Sequence, residues 1–321
     1  MTTYKRSDFE NSTEVRWCPG CGDYAILAAL QRVLPELGLA PDQHVFVSGI
    51  GCAGRLPYYM NTYGFHTIHG RALAVATGLK AMHEALCVWV ITGDGDALSI
   101  GGNHLIHCLR RNVNIKILLI NNQVYGLTKG QFSPTSPEGQ VTKTSPDGVS
   151  HLPINPLALA LAAGASFVAR AVDKDPNALG EIIKQAYEHP GTALIEIYQD
   201  CVIFNGGAFD AFSLKGHRTA NTVTLQDGAP LLFGSDRGIT LRDDKLTCVD
   251  NDEVGDYKHD TGDLNAAMRL AYLTYPEFPV PLGVYYKKSR DVFALKGAVE
   301  KSISDLPALY REKASWTQGG E

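Results

Sequence analysis

CVWVITGDGD, residues 87–96, and IKILLINN, residues 115–122, decide the fold. Each is a near-continuous apolar run ending in polar residues, the pattern of a strand covered on both faces. Residues 100–111 between them have helical length and spacing. A strand-helix-strand unit of this kind lays its strands parallel and brings both carboxyl ends to one rim of the sheet. Asp94 and Asn122, 28 positions apart, therefore meet on that rim. Mg²⁺ takes near-octahedral oxygen ligands, commonly one or two protein groups plus phosphates. The Asp94 carboxylate, the Asn122 amide oxygen and a backbone carbonyl at Val124 suit that need. The glycines around Asp94 let the main chain approach a phosphate, and a helix expected to start near Ser99 offers free N–H groups to an anion.

The alternation continues in both directions. Runs at 45–50, 166–168 and 193–198 read as further strands, and 71–85, 156–163 and 176–188 as helices, the last two opening on proline. The resulting fold class is α/β, a doubly wound, mostly parallel sheet with helices on both faces. Residues 126–152 are long, rich in Thr, Ser, Pro and Gly, and without periodicity; such loops inside a domain are functional or disordered. Beyond about 205 the character changes. Residues 230–233 and 239–241 flank GSDRG as a hairpin, 243–263 is acidic and turn-rich, 264–273 is helical, and PEFPVPLG at 276–283 reads as an extended tail. The expected division is an α/β domain at 1–204 and an irregular, β-rich C-terminal extension at 205–321, packed on the core and on a partner.

Composition bounds the function. Of 321 residues, 45% are hydrophobic and 20% charged, near the globular average. Lys+Arg 29 against Asp+Glu 34, with no basic run, argues against nucleic acid as a partner. The longest apolar stretches, 85–91 and 157–169, fall short of the roughly 18 residues of a membrane span, and the first residues lack an apolar signal core. A cytoplasmic protein without a membrane partner is expected. Seven cysteines are an odd number for a disulfide framework, and in that compartment clustered thiolates more often bind metal or do chemistry. Cys18 and Cys21 share the tight turn of WCPGC, Cys52 follows the first strand in GIGCAG, and Cys201 follows the strand at 193–198. Four thiols thus converge on the rim that holds Asp94. A Cys₄ set suits a structural zinc or an iron-sulfur cluster, and spacing does not choose between them. Cys87, Cys108 and Cys248 read as buried or idle thiols, and His104 and His107 as one exposed helix face.

The Gly-Asp-Gly and Asn-Asn arrangement resembles the thiamine diphosphate motif. With the cysteines, the segments WCPGCGDYAILAAL, SGIGCAGR, HGRALAVATGLK, GDGDALSIGGNH, NNQVYGLTKGQFSPTS and PEFPVPLGVYY are similar to the β subunit of the 2-oxoacid:ferredoxin oxidoreductases, in particular its 2-oxoglutarate branch. The resemblance implies a sheet of the thiamine diphosphate-binding type, Mg²⁺ on Asp94, Asn122 and Val124, and one [4Fe-4S] cluster on Cys18, Cys21, Cys52 and Cys201. It implies thiamine contacts from Ile50, Gly51, Cys52, Ala53, His69, Gly95, Asp96, Gly126 and Leu127. Lys129 is placed near the substrate, where an ammonium suits the distal carboxylate of 2-oxoglutarate and has no counterpart in pyruvate.

The implied reaction is oxidative decarboxylation of 2-oxoglutarate with coenzyme A to succinyl-CoA and CO₂, electrons passing through the cluster to ferredoxin, or its reverse, reductive carboxylation. No side chain is assigned as catalytic, because the cofactor carries the chemistry. The alternatives are a pyruvate or broad-range 2-oxoacid enzyme and, from another class, a non-catalytic iron-sulfur electron-transfer subunit or a zinc-stabilised scaffold. Thiamine enzymes take the glutamate that activates the aminopyrimidine from a second α/β domain, and this chain has room for one. The resemblance therefore implies an α subunit and an (αβ)₂ assembly. The purified chain alone is expected to show no coenzyme A-dependent oxidation of 2-oxoglutarate; full turnover without a partner would refute the division of labour.

Overall fold

Side chains alternate along the central strands between two apolar cores, and this alternation makes the sheet double-faced. The computed structural model describes residues 3–294. Strand β1 (His44–Ser48) sends Val45 and Val47 to one core and Phe46 to the other. The exposed β2 (Tyr63–His66) flanks it, followed by β3 (Cys87–Gly93) and β4 (Ile115–Asn121). In β4, Ile115, Ile117 and Leu119 face the first core while Leu118 and Ile120 face the second. Two short strands, β5 (Val124–Tyr125) and β6 (Gln131–Phe132), pair with each other, and β7 (Phe167–Val172) and β8 (Ala193–Tyr198) return to the sheet.

Helix α1 (Asp23–Val33) covers the second core and α2 (Ala72–Met82) the first. The short α3 (Asp94–Leu98) opens directly from β3, and α4 (Gly102–Arg111) and α5 (Pro156–Ala162) complete the first face. Helix α6 (Pro176–Glu188) packs beside α1 on the second. Its Asp175 cap accepts from the Ala178 N–H, and Pro176 fits the first turn, where no N–H is required.

The chain beyond 204 continues the same sheet. After α7 (Asp210–Ser213) and α8 (Lys215–Asn221), β9 (Thr222–Leu225) forms its far edge. Strands β10 (Leu231–Phe233), β11 (Arg237–Arg242) and β12 (Lys245–Asp250) make a separate antiparallel sheet that includes the expected hairpin. Helix α9 (Leu264–Ala271) packs on the first core, and β13 (Val280–Lys287) enters the main sheet antiparallel to β7. The order is β2-β1-β3-β4-β8-β7-β13-β9. Residues 276–283 are thus in part a sheet strand and not a tail: Pro281 pairs in register with Val223 even without an N–H of its own. Residues 295–321 of the expected C-terminal extension lie outside the described residues.

The strand expected at 166–168 runs to Val172 because a charged residue in its middle is buried. Arg170 Nε donates to Glu196 Oε2 at 2.7 Å and Nη1 to the Tyr285 hydroxyl at 3.1 Å, and the guanidinium lies over the rings of Tyr198 and Tyr285. Both ends of this ion pair are buried. Removing one member strands the other charge in the core, at roughly 3–5 kcal/mol. In urea denaturation, Arg170→Leu is expected to lose that amount. Adding Glu196→Gln, which keeps an acceptor for Asn121 without the charge, is expected to recover most of it.

Candidate active site

Strands β1, β3, β4 and β8 end on one rim, and loops leaving it enclose a cavity of about 310 Å³. It sits where the winding reverses: β1 leads outward to β2, and β3 leads the other way to β4. Open parallel sheets take ligands at such a switch point. The cavity brings together Ile50, Gly51, Cys52 and Ala53 after β1, His69 before α2, and Asp94, Gly95 and Asp96 after β3. Asn122, Val124, Gly126 and Leu127 close it from the loop after β4.

Asp94 is 2% exposed, and its Oδ2 accepts from Ser133 Oγ and Thr135 Oγ1, each at 2.5 Å. Burial raises its carboxyl pKa and the two hydroxyls pull part of that back. Among the described residues no guanidinium or ammonium pairs with it, and a buried carboxylate so placed fits a bound cation. Asn122 Oδ1 accepts the Val124 N–H at 3.1 Å, which leaves a second lone pair on that oxygen. The helix expected to begin near Ser99 begins instead at Asp94, breaks at Ser99 and resumes as α4, so the N–H groups facing the cavity belong to the Gly-Asp-Gly turn itself.

Asp96 lines the cavity, but its carboxylate is engaged by the protein. Oδ1 accepts from the Gly70 N–H at 2.7 Å and the Ile50 N–H at 3.3 Å, and Oδ2 from Thr92 Oγ1 at 2.8 Å. It ties the loop after β1 to the turn before α2. Gly49 permits this, since a Cβ there would stand 1.9 Å from Asp96 Oδ2. Gly95 is equally confined: its Cβ would meet the Tyr125 ring at 2.1 Å, and the Tyr125 hydroxyl donates to the Gly95 carbonyl at 3.2 Å.

A second cavity of about 230 Å³ adjoins the first and shares Cys52, Asn122, Gly126 and Leu127 with it. Cys18, Cys21, Cys52 and Cys201 all line it, together with Arg16, Arg55, Gln199 and Lys129. Lys129 is exposed and sits at φ 79, a left-handed backbone that fixes where its side chain leaves the loop. Burial pushes the Cys52 thiol up to about 11 and raises those of Cys21 and Cys201; the N–H groups of Ile203, Phe204 and Asn205 aim at Cys201 and oppose the rise. Gly126 keeps the loop close, its Cβ position lying 3.3 Å from Cys201 Sγ and 3.9 Å from Cys52 Sγ. Among the described residues no three His, Cys, Asp or Glu side chains converge tightly enough to hold one metal ion. Four thiols with amide donors around a cavity fit a sulfur-rich cluster better than a single ion.

Several residues at the site escaped the sequence. Ser133 and Thr135 had no signal beyond their place in a long polar loop, and Tyr125, Arg55 and Gln199 carried none. Cys108 lies in the core between helix and sheet, Cys87 opens β3 and Cys248 lies in β12, all away from these cavities.

Residues 49–197 match the family described as thiamine pyrophosphate enzyme, C-terminal TPP binding domain. The chain is 47% identical to 2-oxoglutarate oxidoreductase subunit KorB of Mycobacterium tuberculosis over 98% of its own length and 88% of that protein's. It is 50% identical to the β subunit of 2-oxoacid:ferredoxin oxidoreductase 1 of Aeropyrum pernix over 59% of each chain. It superimposes on a chain of the 2-oxoglutarate:ferredoxin oxidoreductase of Magnetococcus marinus, solved with 2-oxoglutarate, coenzyme A and succinyl-CoA, with a TM-score of 0.76 at 36% identity, covering 96% of this chain and 97% of that one.

Asp96→Ala would leave two loop N–H groups and a hydroxyl unpaired, at roughly 1–3 kcal/mol each. Thiamine diphosphate affinity, measured by calorimetry on the complete complex, is expected to fall at least about tenfold in Asp96→Ala. Asp96→Asn, which keeps Oδ1 for the N–H pair while Thr92 reverses its hydroxyl, is expected to stay close to wild type.

Proposed function

The chain belongs to the family of 2-oxoacid:ferredoxin oxidoreductase β subunits, and from that membership we propose that it performs, with an α subunit, the coenzyme A-linked oxidative decarboxylation of 2-oxoglutarate to succinyl-CoA and CO₂, or its reversal. The observation that carries this reading is the pair of cavities sharing Cys52, Asn122, Gly126 and Leu127: one lined by Asp94 and the Gly-Asp-Gly turn, the other by four cysteines. A lyase has no use for the second, and a scaffold has none for the first.

Thiamine diphosphate, when bound, supplies a carbanion that adds to the keto carbon and a ring that takes up the electrons left when CO₂ departs. The residues of this chain position and enclose. Asp94, Asn122 and the Val124 carbonyl would hold Mg²⁺ against the diphosphate, with Ser133 and Thr135 fixing the Asp94 carboxylate. Ile50, Gly51, Cys52, Ala53, His69, Gly95, Asp96, Gly126 and Leu127 would contact the cofactor, Asp96 chiefly by pinning the loops around it. Cys18, Cys21, Cys52 and Cys201 would hold one [4Fe-4S] cluster, with ferredoxin as electron partner. Lys129, on the wall of the second cavity, would receive the distal carboxylate of the substrate.

Exposed Ile68, Ile100 and Leu127 crowd the loops around the first cavity, where an α subunit would cover them, in an (αβ)₂ assembly. The described residues up to 204 carry the two cavities, and we assign the chain beyond 204 to the extension. Among the described residues no helix is long and apolar enough to cross a membrane, and the cytoplasm is the compartment we assign.

The test is anaerobic co-purification with the α subunit, followed by iron, sulfide and thiamine analysis and turnover assays. About four irons and one thiamine per αβ pair, with 2-oxoglutarate preferred over pyruvate, are expected. Zinc in place of iron, or no thiamine, would return the chain to the scaffold reading, and a preference for pyruvate would move it to that branch.

A further inference from the structure

We infer that Gln199 is a positioning residue that ties the two cavities together, its single amide orienting Asn122 on the diphosphate side and donating a hydrogen bond to the sulfur of Cys21 on the cysteine side. The inference rests on the proposed thiamine- and cluster-binding function. Gln199 is 1% exposed, and its N–H donates to the Asn121 carbonyl at 3.0 Å, just past the register in which Asn121 faces Tyr198. Its Oε1 accepts from Asn122 Nδ2 at 3.0 Å. Its Nε2 donates to Cys21 Sγ at 3.3 Å and to the Asp200 carbonyl at 2.6 Å.

The direction of this relay is fixed at both ends by main-chain groups that cannot exchange roles. The Val124 N–H can only donate, so the Asn122 atom 3.1 Å from it is Oδ1, and Nδ2 faces Gln199. The Asp200 carbonyl can only accept, so the Gln199 atom against it is Nε2. The two constraints agree on one orientation of both amides, and flipping either amide breaks its bond to the main chain.

Each end has a consequence. An amide donor binds a charged acceptor more strongly than a neutral one, so the bond to Cys21 favours the more reduced, more negative state of a thiolate-held cluster; hydrogen bonds to sulfur are among the determinants of cluster potential. At the other end, Oε1 holds the Asn122 amide plane with Oδ1 turned away from Gln199, toward Val124. Gln199 therefore sets the metal-side geometry and the cluster-side charge through the same rigid group.

Two variants separate these ends in the complete complex, purified anaerobically with iron and sulfide measured first. Gln199→Glu keeps an acceptor for Asn122 and loses the donor to Cys21 and to the Asp200 carbonyl, whereas Gln199→Leu loses the acceptor as well. In an EPR-monitored redox titration both variants are expected to make the cluster harder to reduce, by roughly tenfold in the one-electron equilibrium, about 59 mV. The Mg²⁺-dependent affinity for thiamine diphosphate is expected to stay within about twofold of wild type in Gln199→Glu and to fall about tenfold in Gln199→Leu, the scale of one lost hydrogen bond to a charged site. A purely structural role would lower thermal stability in both without separating them. An unmoved potential in Gln199→Leu, equal thiamine losses in the two variants, or loss of the cluster from both overturns the inference. A wild-type complex without iron and sulfide sinks the functional reading first, and the inference with it.

Discussion

The parallel register of β3, β4 and β8 is the constraint on which the site depends. Gly93 pairs with Ile120 and Asn121 with Tyr198, so the three strands stop level with one another. The segment leaving each strand is then placed without further instruction: the Gly-Asp-Gly turn after β3, the Asn pair after β4, and Gln199 with Cys201 after β8. A shift of one residue in any of these pairings would turn the whole strand over, exchanging the two cores as well as moving the site. The apolar alternation that holds the sheet in register is thus the same physical fact that gathers Asp94, Asn122 and Cys201.

Beneath that rim runs a chain of buried polar groups with few loose ends. Arg170 pairs with Glu196, whose other oxygen accepts from Asn121 Nδ2 at 2.7 Å. Asn121 Oδ1 in turn lies 2.9 Å from Thr135 Oγ1, which also reaches Asp94. Glu196 fixes which end of the Asn121 amide is the acceptor, and the Thr135 hydroxyl, with one proton to give, stands between two acceptors, Asn121 Oδ1 and Asp94 Oδ2. A low-dielectric interior makes each of these bonds strong and each broken one costly.

The sheet and most of the candidate site were legible because their signals are local. A run of apolar residues, a proline opening a helix and a Gly-Asp-Gly turn each declare themselves within about ten positions. Helix α6 and strand β8 could be bounded to the residue for this reason. The features that could not be read depend on distant partners. Arg170 breaks the apolar run of β7 and looks exposed until Glu196 and two tyrosines surround it. Strand β13 hides behind prolines and is a strand only because β7 and β9 await it on either side. Ser133, Thr135 and Gln199 are ordinary polar residues whose roles exist only through side chains 39, 41 and 178 positions away.

The two cavities share an electrostatic logic that explains why they adjoin. Some carboxylates nearby have cations of their own: Lys174 lies against Asp200 and Asp210, and Arg218 against Asp175. Asp94 has hydroxyls in that place; burial raises its pKa and those hydroxyls pull part of the rise back. Burial acts likewise on Cys21, Cys52 and Cys201, whose thiols sit above their ordinary range and compete with one another for the charged state. In both donor sets burial disfavours the charged form. Set wall to wall, the two cavities share one element, the loop from Asn122 to Leu127, and Gln199 adds a polar contact from Asn122 to Cys21.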